Sequence, residues 1–203
     1  DGDTASGVTK VWIPDVRAQE YYYMCEYILH DGGEAEDSAG NEIDPDDYGW
    51  KWSGGQWKVA GNKATDGAYY IEADVEIAGS PGTAEAPWEA TLITEGCIKF
   101  TGSPVMEARY GGILIVAEGD EDGNGQVESE PVVELGGTPA QQAKYQGAVL
   151  SAGDLKVKGN PAIEGCLVAK GGIPIGGNPT IKYNGARYKF PYVRYKPLAW
   201  REK

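Results

Sequence analysis

Five times along the chain, alternating apolar and polar residues run into the same corner: apolar, any residue, apolar, any residue, Gly, then Ser, Thr or Asn, then Pro. The copies are Val75–Pro81 (VEIAGSP), Ile98–Pro104 (IKFTGSP), Val133–Pro139 (VELGGTP), Leu155–Pro161 (LKVKGNP) and Ile173–Pro179 (IPIGGNP). Alternation at period two predicts a short strand with one buried face. Gly followed by a small polar residue and Pro predicts a sharp corner, because Gly supplies unusual φ and Pro fixes its own. The predicted corner residues are Gly79 and Pro81, Gly102 and Pro104, Gly137 and Pro139, Gly159 and Pro161, and Gly177 and Pro179. A second apolar segment precedes most copies: Tyr69–Ile71, Thr91–Thr94, Ile113–Ala117, Ala148–Ser151 and Cys166–Ala169.

Successive copies lie 23, 35, 22 and 18 residues apart. At the last step the match extends beyond the motif: Gly147, Gly159, Asn160, Pro161 and Ile163 become Gly165, Gly177, Asn178, Pro179 and Ile181. A unit this short cannot bury its apolar face alone, but stacked units can. The expected fold is therefore mostly β, a parallel β-solenoid of about five irregular coils. A sandwich of antiparallel hairpins also places turns at short intervals, but gives no reason for one corner motif to recur.

The pattern divides the chain into an N-terminal annex or cap over residues 1–66, the repeats over 67–185 and a C-terminal tail over 186–203. Within the annex, residues 18–30 (AQEYYYMCEYILH) predict a helix ending at Asp31-Gly32-Gly33, although three consecutive tyrosines also suit a strand. Residues 31–47 hold eight acids and few apolar groups, which predicts an exposed loop. Residues 49–59 alternate aromatics across Ser53-Gly54-Gly55 and predict a β-hairpin. Such a cap would cover the unpaired backbone of an end coil.

Composition narrows the class. The 203 residues include 30 Gly and 12 Pro, without a Gly-X-Y period and with 41% hydrophobic residues, which excludes collagen and wholesale disorder. The net charge of −13 opposes a phosphate backbone and makes nucleic acid a poor partner. No apolar run reaches the ~18–20 residues of a membrane helix, and no signal-peptide pattern heads the sequence. The charge is unevenly placed: residues 182–203 carry seven Lys or Arg and one acid, a net +6, leaving −19 on the first 181. A basic tail of this kind either lies along its own acidic body or docks on the acidic face of a neighbouring subunit, and the second arrangement propagates into a filament.

One local motif carries specific chemistry. Asp120, Asp122 and Asn124 offer oxygens at positions 1, 3 and 5 of a calcium loop, with Gly125 at 6 and the Gln126 carbonyl at 7. Pro131 stands at position 12, so Glu128 or Glu130 would supply the missing carboxylate. Calcium is the one cofactor expected. The three cysteines, Cys25, Cys97 and Cys166, are disulfide candidates or buried thiols. His30 beside Asp31 suits a surface role, and Asp44, Asp46 and Asp47 sit in a solvated charge run. Trp50, Trp52 and Trp57 could stack on sugars, but hairpin packing is the more frequent use. No nucleophile elbow, phosphate loop, zinc-spaced set or nucleotide fingerprint is present.

Residues 67–83 (GAYYIEADVEIAGSPGT), the segment from Gly137 to Asn184 and the ending Leu198-Ala199-Trp200-Arg201-Glu202 resemble bacterial PilX-type, pilus-assembly-associated surface proteins. In that family a pilin-like N-terminal helix precedes a glycine-rich repeat ectodomain, and this sequence lacks the hydrophobic helix. The resemblance implies a non-enzymatic extracellular structural protein of a bacterial surface appendage or filament, self-associating or joining other surface subunits, and it transfers no functional residue. The alternative is a carbohydrate-binding or lyase-like β-helix, for which Arg109 near the acidic insertion is the candidate base.

Overall fold

The computed structural model describes residues 15–119, 127, 131–138 and 144–183. The fold is mostly β, in two mixed and mainly parallel sheets. After a short 3-10 segment, Ala18–Met24, come β1 (Tyr27–Leu29), β2 (Ala35–Asp37), a second 3-10 turn (Pro45–Tyr48), β3 (Lys51–Trp52), β4 (Gln56–Val59), β5 (Gly67–Ile71), β6 (Asp74–Ile77) and β7 (Trp88–Thr94). They are followed by β8 (Ile98–Phe100), β9 (Val105–Glu107), β10 (Ile113–Ala117), β11 (Val133–Leu135), β12 (Lys144–Ser151), β13 (Leu155–Val157), β14 (Ala162–Ala169) and β15 (Thr180–Lys182). Sheet A has the order β15-β14-β12-β10-β7-β5-β1-β2, with β9 also paired to β7 and β12; sheet B has the order β13-β11-β8-β6-β4-β3.

Parallel neighbours need a crossover connection. Here the crossover between two strands of sheet A contains a strand of sheet B. The partners in sheet B are the repeat copies themselves: Val75 opposite Ile98, Ile98 opposite Val133, Val133 opposite Leu155, and Val157 bridged to Ile175. In sheet A, β12 and β14 pair along their whole length, Gly147 opposite Gly165, and Ile163 then lies opposite Ile181. Alternate residues point inward, so Tyr69, Leu92 and Ile115 of sheet A meet Val75, Ile77 and Phe100 of sheet B in one continuous core.

The 35-residue step has its own geometry. β9 covers the first half of the row between β7 and β12, and β10 covers the second half. Between them residues 108–112 leave the row, with Gly111 and Gly112 at positive φ. That excursion projects Arg109 and Tyr110 outward.

The N-terminal third differs from the sequence expectation. The helix predicted over 18–30 is a 3-10 segment that stops at Met24, without a side-chain N-cap. Tyr27–Leu29 instead pairs parallel with Tyr69–Ile71, and burial of Ile28 and Leu29 on the two faces outweighs a weak helix propensity. Gly32 and Gly33, at φ 98° and 99°, turn the chain from β1 into the antiparallel β2 instead of ending a helix. The stretch 31–47 is therefore not wholly loop, since it contains β2 and the 3-10 turn capped by the Asp44 carboxylate. The aromatic hairpin is present as β3 and β4. Because β1 joins sheet A and β4 lies parallel to β6, residues of the annex are built into the same two sheets as the repeats.

Sheet A also has an apolar outer face, formed by Ile28, Tyr70, Ile93, Val116 and Leu150. The segment 15–24 crosses it, burying Val16 and Ala18. The segment is held by the Ala18 N–H donating to Glu118 Oε2 (2.9 Å) and by an ion pair between Asp15 and Lys170.

Candidate functional site

The repeat corners form a column whose geometry depends on the residue types. A Cβ on Gly79 would lie 1.8 Å from the carbonyl oxygen of Gly61, one on Gly102 1.8 Å from that of Gly79, one on Gly159 2.3 Å from that of Gly137, and one on Gly177 2.1 Å from that of Gly159. Only glycine permits the backbones to approach this closely. At Ser80, Ser103 and Asn160 the side chain of the residue after the glycine accepts from the backbone one level on. The Ser103 N–H donates to Ser80 Oγ (3.1 Å), the Thr138 N–H to Ser103 Oγ (3.2 Å) and the Asn178 N–H to Asn160 Oδ1 (2.8 Å). The proline carbonyls then accept from the next strands, Val105 N–H to Pro81 and Lys144 N–H to Pro104. Pro139 lies outside the described residues.

The column has a sixth member that the five-copy pattern misses. Gly61-Asn62 follows β4 and underlies Gly79-Ser80, with the Ser80 N–H donating to Asn62 Oδ1 (3.1 Å). Its sequence, Trp57-Lys58-Val59-Ala60-Gly61-Asn62-Lys63, keeps the alternation and replaces the proline by Lys63. Relaxing the last position of the motif would have found it.

On the outer face of sheet B the register lines up Lys58, Glu76, Lys99, Glu134 and Lys156, alternating in charge. Lys58 pairs with Glu76 at 3.4 Å, and Glu134, only 8% exposed, pairs with Lys158 at 2.7 Å. Beside this row is an open cleft of about 220 Å³ lined by Gln56, Asp74, Cys97, Lys99, Pro131 and Glu134 among others. It presents charge and hydrogen-bonding groups without a histidine.

The excursion between β9 and β10 builds the second cluster. Glu26 accepts from the Ala68 N–H (2.9 Å) and the Tyr110 hydroxyl (2.8 Å), and pairs with Arg109 at 3.5 Å. Arg109 also pairs with Glu89 at 3.2 Å and lies over the Tyr110 ring. Burial works to raise the Glu26 carboxyl, but the bonds from Tyr110, Ala68 and Arg109 outweigh it and hold it below the usual carboxylate range. The same bond from Glu26 holds the Arg109 guanidinium above its ordinary value. Arg109 is thus held between the Glu26 and Glu89 carboxylates.

The remaining candidates are dispersed. Cys97 is half-buried just before β8 with its N–H donating to Asp74 Oδ1 (2.6 Å), while Cys25 and Cys166 lie on the outer side of sheet A, and no two of the three are joined in a disulfide. Burial pushes the Cys25 thiol up to about 12 and raises that of Cys166. His30 Nδ1 contacts Glu72 (3.0 Å) and Nε2 contacts Glu36 (3.6 Å) at the surface. Trp50 and Trp57 are fully buried, and Trp52 packs edge-on against Trp57, so these rings belong to the core and its rim. Asp120, Asp122, Asn124, Gln126 and Glu128, the calcium-loop residues, lie outside the described residues, as does the basic tail 186–203. Among the described residues no three His, Cys, Asp or Glu side chains converge as a metal site, and no helix is long and apolar enough to cross a membrane. Compared with family models, curated proteins and solved structures, the chain matches none.

Proposed function

We propose that the two sheets are two faces of one β-solenoid, whose successive coils add strands to both, and that the protein is a non-enzymatic structural module displayed on a bacterial surface appendage, in keeping with the pilus-associated resemblance of its sequence. The observation that carries the reading is the corner column, in which Gly79, Gly102, Gly159 and Gly177 each sit at backbone contact with the glycine of the level before. A stack of this kind is a stiff rod whose stability comes from repeated local contacts, and it needs no ligand to define its shape. The alternating ladder on sheet B serves the same end, because opposite charges at facing positions fix register. Calcium at residues 120–128 remains part of the proposal as a structural ion in the longest insertion.

Growth of a filament by continuing the sheets head to tail is not part of the proposal. The outer edge of β2 is occupied by its own chain: the Asp37 N–H donates to the Asn41 carbonyl and the Ile43 N–H to the Ala35 carbonyl. Immunogold electron microscopy of cells expressing the protein is expected to label the cell surface or its appendages. Label confined to the cell interior overturns the surface role.

A further inference from the structure

The charge ladder on the outer face of sheet B has a spacing of its own. The register sets Glu134 opposite Lys99 on one side and opposite Lys156 on the other. Parallel neighbours lie about 4.8 Å apart, so these two lysines stand two levels, about 10 Å, from each other. Lys58 lies two levels further back, beyond Glu76. Both glutamates are already engaged, Glu134 by Lys158 at 2.7 Å and Glu76 by Lys58 at 3.4 Å. Lys99, which is exposed, and Lys156 have no carboxylate partner among the described residues. The open cleft of about 220 Å³ runs beside them, taking Gln56 from β4, Asp74 from β6, Lys99 from β8 and Glu134 from β11. Those four strands are consecutive in sheet B, so the cleft crosses them and follows the ladder.

We propose that this face binds a linear acidic polysaccharide carrying one carboxylate per disaccharide, laid across the strands. Two levels of the sheet match the length of one disaccharide in an extended glycan. Successive carboxylates then meet Lys99 and Lys156, and the uncharged sugar between them passes Glu134. Within the cleft, the Gln56 amide can donate to and accept from sugar hydroxyls, and the carboxylates can accept from them. Other anionic chains match the ladder less well. An extended acidic peptide repeats its same-side carboxylates about every 7 Å, and duplex nucleic acid carries a charge about every 1.7 Å along its axis. Either spacing sets anions against Glu76 and Glu134 as well as against the lysines. The net charge of −13 adds to this selection, because it repels a dense polyanion more than a sparse one. The inference uses only the register of sheet B, so it goes beyond the structural role and does not depend on surface display.

Calorimetric titration of the full chain at low salt tests the proposal with four probes. Hyaluronan oligosaccharides carry one carboxylate per disaccharide, oligogalacturonate carries one on every sugar, cello-oligosaccharides carry none, and oligoglutamate stands for an acidic protein segment. The expected result is that hyaluronan binds most tightly of the four and that its binding weakens as salt is raised. Lys99→Gln and Lys156→Gln are each expected to weaken it about fivefold, the upper end for one exposed ion pair. Lys144→Gln, on sheet A, is expected to leave it unchanged, and urea midpoints equal to that of the native protein show that the variants are folded. Absence of hyaluronan binding, or binding that Lys99→Gln and Lys156→Gln leave intact, overturns the proposal. Tighter binding of oligogalacturonate or of the uncharged sugars overturns the two-level match, and tighter binding of oligoglutamate overturns the glycan in favour of an acidic protein.

Discussion

At the corners, what matters is a missing atom. Gly102 needs no special φ, yet a Cβ there would lie 1.8 Å from the Gly79 carbonyl oxygen, and the atoms it meets are backbone of Ala78 and Gly79, which leaves no flexible side chain to yield. Gly54 is the opposite case: its φ of +68° is costly for other residues, but the space around it is open. Overpacking against fixed backbone typically costs about 1–3 kcal/mol, whereas a single left-handed residue costs about 1–2 kcal/mol. Gly102→Ala is therefore expected to destabilise by about 3 kcal/mol and to disturb the amides of Gly79 and Ser80, while Gly54→Ala costs about 1 kcal/mol and disturbs only its turn. Urea unfolding midpoints check the order, and a Gly102→Ala chain as stable as Gly54→Ala would show that the column yields. The glycines of the corners were legible because they recur. The role of the Ser, Thr or Asn beside them was not, because accepting an N–H from the next level is visible only once the levels are stacked.

Among the elements, legibility followed periodicity. Every apolar segment preceding a copy is a strand, because a short β-branched and aromatic run of this kind is buried on both faces of sheet A. β1 was less visible: three residues carry too short a period, and Tyr27–Leu29 becomes a strand only because β5 offers it an edge. β9 and the excursion after it were likewise hidden inside the longest spacing. That excursion is anchored on Glu26, which ties Tyr110 and Arg109 to the start of β5 through the Ala68 N–H. Since the folded carboxyl lies below its ordinary 4.5, the stability it lends is complete above that value and is lost as pH falls through the folded value. Replacing it should remove this acid dependence. Glu26→Gln is expected to be less stable than the native protein at neutral pH, with the difference shrinking between about pH 5 and about pH 3. A difference that stays constant over that range, measured by urea unfolding, would mean that Glu26 acts by packing alone.

For the whole molecule, the question is whether the two sheets unfold as one body. Repeat arrays lose cooperativity when their units touch only weakly, and the insertions between copies could have created such weak joints. The core argues otherwise: it is unbroken from Leu29 through Leu92 and Ile115 to Ala169, and the strap over sheet A links Tyr70 near one end to Lys170 near the other. Leu92 lies at the middle of this path, fully buried, opposite Tyr69 on one side and Ile115 on the other. Leu92→Ala is expected to cost about 2–5 kcal/mol, a fall of about 5–15 °C for a chain of this size. The buried Trp50, Trp57 and Trp88 report the first end by fluorescence, whereas far-UV circular dichroism reports all strands. With a continuous core, the substitution lowers both transitions together and leaves them superimposed. If the tryptophan transition separated from the dichroism transition, the stack would be two bodies joined at the insertion, and the rigid-rod role would not hold.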